Sequence, residues 1–326
     1  MQIAETARIS QLDKILSSNR GFIDLIPLKQ YNTGSLGTMT RVIIDRNAGF
    51  CGGVRRAIEG TEQLLTSGPV SSSRTVSYGQ LVHNREVTDK LSARGLTEID
   101  SLKTVRRGDR VVIRAHGISP QEQRLLDASG AQSTDLTCPR VKRIHRQIME
   151  KRKQGFRIVI AGDPNHPEVR AHIGYGGENA LVVSNTAEAG VVPVAGKIAV
   201  FAQTTITPQA FAEIVDALRS PVREMVVVDS LCPFVLKRQR WIEKFSRLAD
   251  ASLILGGRNS SNTLKLVSIA ANNGPAFHLS SAAELDERKL LAYGVIAMTA
   301  GASTSDQSVR QVLERLENAG ARIERR

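Results

Sequence analysis

Asp135-Leu136-Thr137-Cys138-Pro139-Arg140-Val141 and Asp229-Ser230-Leu231-Cys232-Pro233-Phe234-Val235 share the pattern D-x-x-C-P-x-V. Each follows an apolar run and opens a helical pattern. The proline takes the first helical position, where its missing N–H is no loss. The remaining cysteine, Cys51, lies in Gly49-Phe50-Cys51-Gly52-Gly53-Val54, again between an apolar run and a helical pattern. One thiol therefore falls in each domain-sized third of the chain, as expected of three similar units that share a sulfur-ligated centre.

Outward from these stretches, strands alternate with helices. Arg41–Asp45, Thr75–Tyr78 and Val111–Arg114 read as short strands in the first third, and Arg157–Ala161, Ala180–Val183, Lys197–Ala202 and Glu224–Val228 in the second. Ala251–Leu255, Ala276–Leu279 and Gly294–Thr299 follow in the last. Helical patterns fill the intervals, several with clear starts such as Ser119-Pro120-x-x-Gln123 and Thr207-Pro208. This alternation predicts an α/β fold with small parallel sheets covered on both faces. The expected divisions are an N-terminal extension over 1–38, αβα domains over 39–137 and 138–229, and a third over 230–326. Asn32-Thr33-Gly34-Ser35-Leu36-Gly37-Thr38 reads as a flexible run ahead of Met39.

Composition narrows the function. The chain has 326 residues and 41% hydrophobic content, enough for packed cores, and aromatics at 4% leave those cores to Val, Ile, Leu and Ala. No apolar run approaches the ~20 residues needed to span a bilayer, and no secretory h-region stands at the N-terminus. A cytoplasmic chain without a membrane partner is expected. Three cysteines cannot all pair, and in such a chain metal binding or catalysis is the better reading than a disulfide framework. Singly, each is better read as a buried, inert thiol, and it is the matched D-x-x-C-P context that argues against this for the set. The net charge of +12 suits anionic partners. No zinc finger, RNP signature or aromatic stripe supports nucleic acid, which is not expected as a partner.

The polar clusters lie just after strands, where ligands bind in open α/β sheets. Three thiolates suit an iron–sulfur cluster and would leave one iron of a [4Fe–4S] centre without a protein ligand; a Cys3His zinc site is the competing reading. His83, His116, Ser260, Ser261, Asn262 and Ser303 are donors suited to phosphates. Ser260-Ser261-Asn262 begins a helix, which fits either an anion site or plain N-capping. His166-Pro167-Glu168 puts two titratable groups in one loop, where either could deliver protons; a turn with Pro at N1 explains the same residues.

Eight segments, in order, closely resemble the 4-hydroxy-3-methylbut-2-enyl diphosphate reductase family. They are Gly49-Phe50-Cys51-Gly52-Gly53-Val54-Arg55-Arg56-Ala57, Leu81-Val82-His83-Asn84, Ala115-His116-Gly117, Thr137-Cys138-Pro139, His166-Pro167-Glu168-Val169, Gln203-Thr204-Thr205, Asn259-Ser260-Ser261-Asn262 and Thr299-Ala300-Gly301-Ala302-Ser303. The resemblance runs from about Arg41 to the C-terminus. It implies three αβα domains in a pseudo-threefold trefoil around a central [4Fe–4S] cluster held by Cys51, Cys138 and Cys232. It further implies a diphosphate substrate bound by His83, His116, Ser260, Ser261, Asn262 and Ser303. His166 and Thr204 would lie near the substrate hydroxyl, and Glu168 would supply the proton. The family reaction is a reductive dehydroxylation to isopentenyl and dimethylallyl diphosphate, and the basic surface would suit ferredoxin or flavodoxin as electron donor. Two features depart from the family pattern. Where the family carries C-x-A-T-x-x-R-Q, this chain has Cys232-Pro233-Phe234-Val235-Leu236-Lys237-Arg238-Gln239, and Ser305 stands where Pro is common. A paralogue acting on another substrate and a non-catalytic metal- or anion-binding protein are the alternatives at this stage.

Overall fold

The computed structural model describes residues 39–67, 74–192, 196–219 and 222–326. The extension expected over 1–38 lies outside the described residues. Three small sheets, all parallel, carry helices between their strands, as the alternation predicts.

The chain forms two compact units. The first takes in 116–123 and 139–232. Its sheet has the order β7-β6-β8-β9, from β6 (Arg157–Ala161), β7 (Leu181–Val183), β8 (Lys197–Ala202) and β9 (Glu224–Val227). Around it run α4 (Pro139–Lys153), α5 (Pro167–Gly176), α6 (Thr186–Val191) and α7 (Pro208–Ala217). Ile144, Ile148, Ile158, Ile160, Val169 and Phe201 form the core, where burial of each aliphatic side chain stabilises by about 1.5–3 kcal/mol.

The second unit takes in 39–115, 124–138 and 233–326 and holds two sheets. One has the order β3-β2-β4-β5, from β2 (Thr75–Tyr78), β3 (Leu96–Ile99), β4 (Arg110–Ile113) and β5 (Gln132–Asp135). The other is β11-β10-β12-β1-β13, from β10 (Ala251–Leu255), β11 (Ala276–Leu279), β12 (Val295–Ala300), β1 (Arg41–Ile44) and β13 (Arg322–Arg325). The helices are α1 (Gly52–Thr66), α2 (Arg85–Ala93), α8 (Pro233–Ser246), α9 (Ser261–Ala271), α10 (Glu287–Leu290) and α11 (Asp306–Asn318). Between β4 and β5 runs α3 (Pro120–Ala128).

Each sheet contains the same four-strand core. β10, β2 and β6 are equivalent, as are β12, β4 and β8, and the fourth place is filled by β1, β5 and β9. That fourth strand leads in each case to a cysteine. In two sheets it is the last strand of its own segment. In the five-stranded sheet it comes from the beginning of the chain, with Val42 in register with both Ile296 and Ile323.

Candidate functional site

Each cysteine is fixed by the same device. Beyond the fourth strand, its backbone N–H donates to a carbonyl in the loop after the neighbouring strand: Cys51 to Ala302 at 3.0 Å, Cys138 to Ala115 at 3.0 Å, and Cys232 to Thr204 at 3.1 Å. Cys51 thereby stands beside the loop that carries Ser303, and Cys232 beside Thr204. None of the three is joined in a disulfide among the described residues, and all are half-buried. Cys51 is the N-cap of α1, its sulfur accepting from the Val54 N–H at 3.5 Å. In the second unit, Cys51 and Cys138 flank Gly53. A Cβ there would lie 2.7 Å from Cys138 Sγ and 4.0 Å from Cys51 Sγ.

An arginine in the helix after each cysteine holds backbone carbonyls near another cysteine. From α1, Arg56 Nη1 donates to Thr137 O at 3.1 Å, one residue before Cys138. From α4, Arg140 Nη2 donates to Leu231 O at 2.6 Å, one residue before Cys232, and to Asp229 O at 3.2 Å. From α8, Arg238 donates to Gly49 O at 2.6 Å, to Ala300 O at 3.3 Å and to Asn47 O, all around the loop that delivers Cys51. The departure after Cys232 is accommodated around this latch. Phe234 is 53% exposed, whereas Val235, Arg238 and Gln239 are buried. Ser305 caps α11, its hydroxyl accepting from the Ser308 N–H at 2.9 Å.

Also in the second unit, the loops bearing His83 and Ser303 meet the start of α9. Ser303 Oγ donates to His83 O at 3.3 Å, and Asn84 Nδ2 donates to Ser303 O at 3.0 Å. A Cβ on Gly257 would come within 2.3 Å of His83 O, so only glycine fits there. Ser260 is the N-cap of α9 and Ser261 its first residue. Asn262 is buried, yet neither side-chain amide atom has a hydrogen-bond partner among the described residues. A buried amide costs about 1–3 kcal/mol unless a ligand or an ordered water pairs with it.

In the first unit, Glu168 and Thr204 are brought together. The Thr204 N–H donates to Glu168 Oε1 at 2.6 Å and its hydroxyl donates to Oε2 at 2.7 Å. His166 is the N-cap of α5: its Nδ1 accepts the Glu168 N–H at 3.2 Å, which puts the proton of the neutral ring on Nε2. The His116 ring meets the His166 ring edge-on at 5.2 Å. Glu168 lies within the first turn of α5, where the helix dipole favours an anion. Burial pushes its carboxyl up. The imidazole of His172, the attraction of His166 and the Thr204 N–H together outweigh burial and bring it from an ordinary 4.5 down to about 2.

His172 and the arginine latches escape sequence reading. The available signal for His172 was Glu168-x-x-x-His172 after a Pro at N1, an i, i+4 pair on one helix face.

The parallel three-sheet α/β fold, the strand-end thiols and the buried carboxylate–hydroxyl pair define a class of ligand-binding α/β protein. Residues 42–317 match the LytB protein family, and the chain belongs to that family. It is 34% identical over 280 residues to the 4-hydroxy-3-methylbut-2-enyl diphosphate reductase of Caldanaerobacter subterraneus subsp. tengcongensis, covering 85% of this chain and 96% of that one. It is 31% identical over 283 residues to the enzyme of the same name from Aquifex aeolicus, covering 86% and 96%. Among solved structures, it is similar to the E-1-hydroxy-2-methyl-but-2-enyl-4-diphosphate reductase of Plasmodium falciparum, with a TM-score of 0.81 at 28% identity over 88% of this chain and 92% of that one.

Proposed function

We propose that the protein is an iron–sulfur oxidoreductase that removes the allylic hydroxyl of (E)-4-hydroxy-3-methylbut-2-enyl diphosphate as water, giving isopentenyl and dimethylallyl diphosphate. The observation that carries this reading is the buried Glu168 carboxylate gripped by both donors of Thr204, whose carbonyl in turn fixes the backbone of Cys232. The names of the relatives supply the substrate.

The residues present fit a [4Fe–4S] cluster. The thiols are not tied up in disulfides, two of them border a space that only glycine leaves open, and the Cys51 sulfur sits at a helix N-terminus. Cys51, Cys138 and Cys232 would hold the group. When bound, it would supply the two electrons one at a time, together with a Lewis-acidic iron.

The remaining work belongs to the chain's own groups. Asn262, Ser260, Ser261, Ser303, His83 and His116 would bind the diphosphate, and the open amide of Asn262 is the clearest of these. That remote binding energy holds the hydroxyl in place. Thr204 Oγ1 donates to the Glu168 carboxylate; once Glu168 is protonated this bond reverses, Glu168 donating to Thr204 Oγ1 as the Thr204 O–H proton passes to the leaving oxygen. A ferredoxin- or flavodoxin-type donor would supply electrons to the basic protein. The test is turnover of the hydroxymethylbutenyl diphosphate by anaerobically reconstituted protein with a reduced donor, alongside iron and sulfide analysis. Formation of both diphosphate products supports the reading; cluster-loaded protein that gives neither overturns it.

A further inference from the structure

We propose that His172, with His145 behind it, is the proton store that reloads Glu168 in each turnover. The inference rests on the functional reading above. The reaction consumes two protons, whereas Glu168 carries one at a time and rests as a carboxylate. It must therefore be protonated again in each turnover.

The geometry supplies one route. His172 follows Glu168 by one helical turn on α5 and is 0% exposed. Its Nε2 lies 3.6 Å from Glu168 Oε1, and neither ring nitrogen has a hydrogen bond among the described residues. A buried polar ring held in this way is costly, and an apolar side chain would fill the space without that cost. From α4, the His145 ring meets His172 edge-on at 5.1 Å. His145 is stacked on the half-buried Tyr175 at 4.1 Å. Glu168, His172, His145 and Tyr175 follow one another in close contact, at 3.6 Å from carboxylate to ring and at 5.1 and 4.1 Å between ring centroids. His166 and Thr204 face Glu168 on the other side. β6 and β7, packed on the same helix, bring only apolar side chains over 158–161 and 181–183.

In the transfer, the N–H bond at His172 Nε2 breaks and an O–H bond forms at Glu168 Oε1. Imidazolium becomes imidazole, carboxylate becomes carboxylic acid, and no electrons move. Solvent water then supplies the replacement proton through His145. His172 touches no reacting atom and is a positioning and supply residue.

The test compares wild type with His172→Gln and His145→Gln, each cluster-loaded, on the hydroxymethylbutenyl diphosphate. For His172→Gln, kcat is expected to fall on the order of 10²-fold with KM changed by less than about twofold, and the solvent deuterium isotope effect on kcat to rise. A second readout needs no turnover. The infrared carboxyl band lost in Glu168→Gln is expected to appear at higher pH in His172→Gln than in wild type, and to stay put in His145→Gln. Unchanged kcat in His172→Gln, or a loss of kcat with the isotope effect and carboxyl band unmoved, overturns the proposal. Should His172→Gln fail to fold, a normal kcat and isotope effect in His145→Gln overturn it. Wild type that does not turn over this diphosphate refutes the functional reading instead, and the infrared titration still decides whether His172 sets the protonation of Glu168.

Discussion

At the scale of single residues, the glycines after Cys51 separate space from chemistry. Gly53→Ala places a methyl 2.7 Å from Cys138 Sγ, whereas a Cβ on Gly52 meets nothing within 4 Å. Gly53→Ala is expected to fold yet retain little iron after reconstitution, and Gly52→Ala to retain the wild-type amount; metal and sulfide analysis reads both. Glu168 gives a prediction about stability. Its folded carboxyl is held at about 2 against an ordinary 4.5, so the folded state is favoured above the unfolded value and loses that advantage as pH falls through the folded one. On the order of 3 kcal/mol should disappear between about pH 5 and pH 2. Measured as Tm, the gap between wild type and Glu168→Gln should narrow across that window. Cysteine, and histidine or serine after a strand, were legible as candidates in the sequence because they are informative types in informative places. His172 was not, because α5 is buried on several faces and its pattern lacks the apolar stripe that marks a helix and its facing pairs.

At the scale of elements, Arg238 stands out. It is 2% exposed, and its guanidinium holds backbone carbonyls on two stretches of chain, before Cys51 and at the end of β12. Arg238→Met should lower stability by about 3–5 kcal/mol, because several carbonyls lose their donor at once. It should also speed cluster loss in air, followed as decay of the visible absorbance; a cluster lifetime equal to wild type would show that the latch does not serve the thiol. Most strands and helices were readable from period and capping. The strands missed are β3, β5 and β13, and Gln132–Asp135 shows why: it is polar and largely exposed, so only its backbone pairing with β4 makes it a strand. Alternation cannot reveal an edge strand that buries nothing.

At the scale of the whole molecule, charge governs encounters. A net charge of +12 should attract an acidic donor over several ångströms, and salt should screen that attraction. The second-order rate of reduction by such a donor is expected to fall steadily with ionic strength, while turnover with a small neutral donor stays level. The α/β class was legible from the strand–helix rhythm. The placement of β1 was not, since periodicity identifies a strand but carries no record of its neighbours.

That placement has a consequence for how the protein comes into being. Thr40 and Arg41 bond to carbonyls of Leu291 and Gly294, with the Thr40 pair 251 positions apart. Emerging from the ribosome, β1 waits unpaired through the synthesis of nearly everything else, because both its neighbours, β12 and β13, are made last. Closing so long a loop makes late assembly slow. The Cys51 loop, which leans on Ala302, is seated only then. The first thiol made is thus among the last to be ready, and the proposed cluster could be accepted only after translation, by a finished chain.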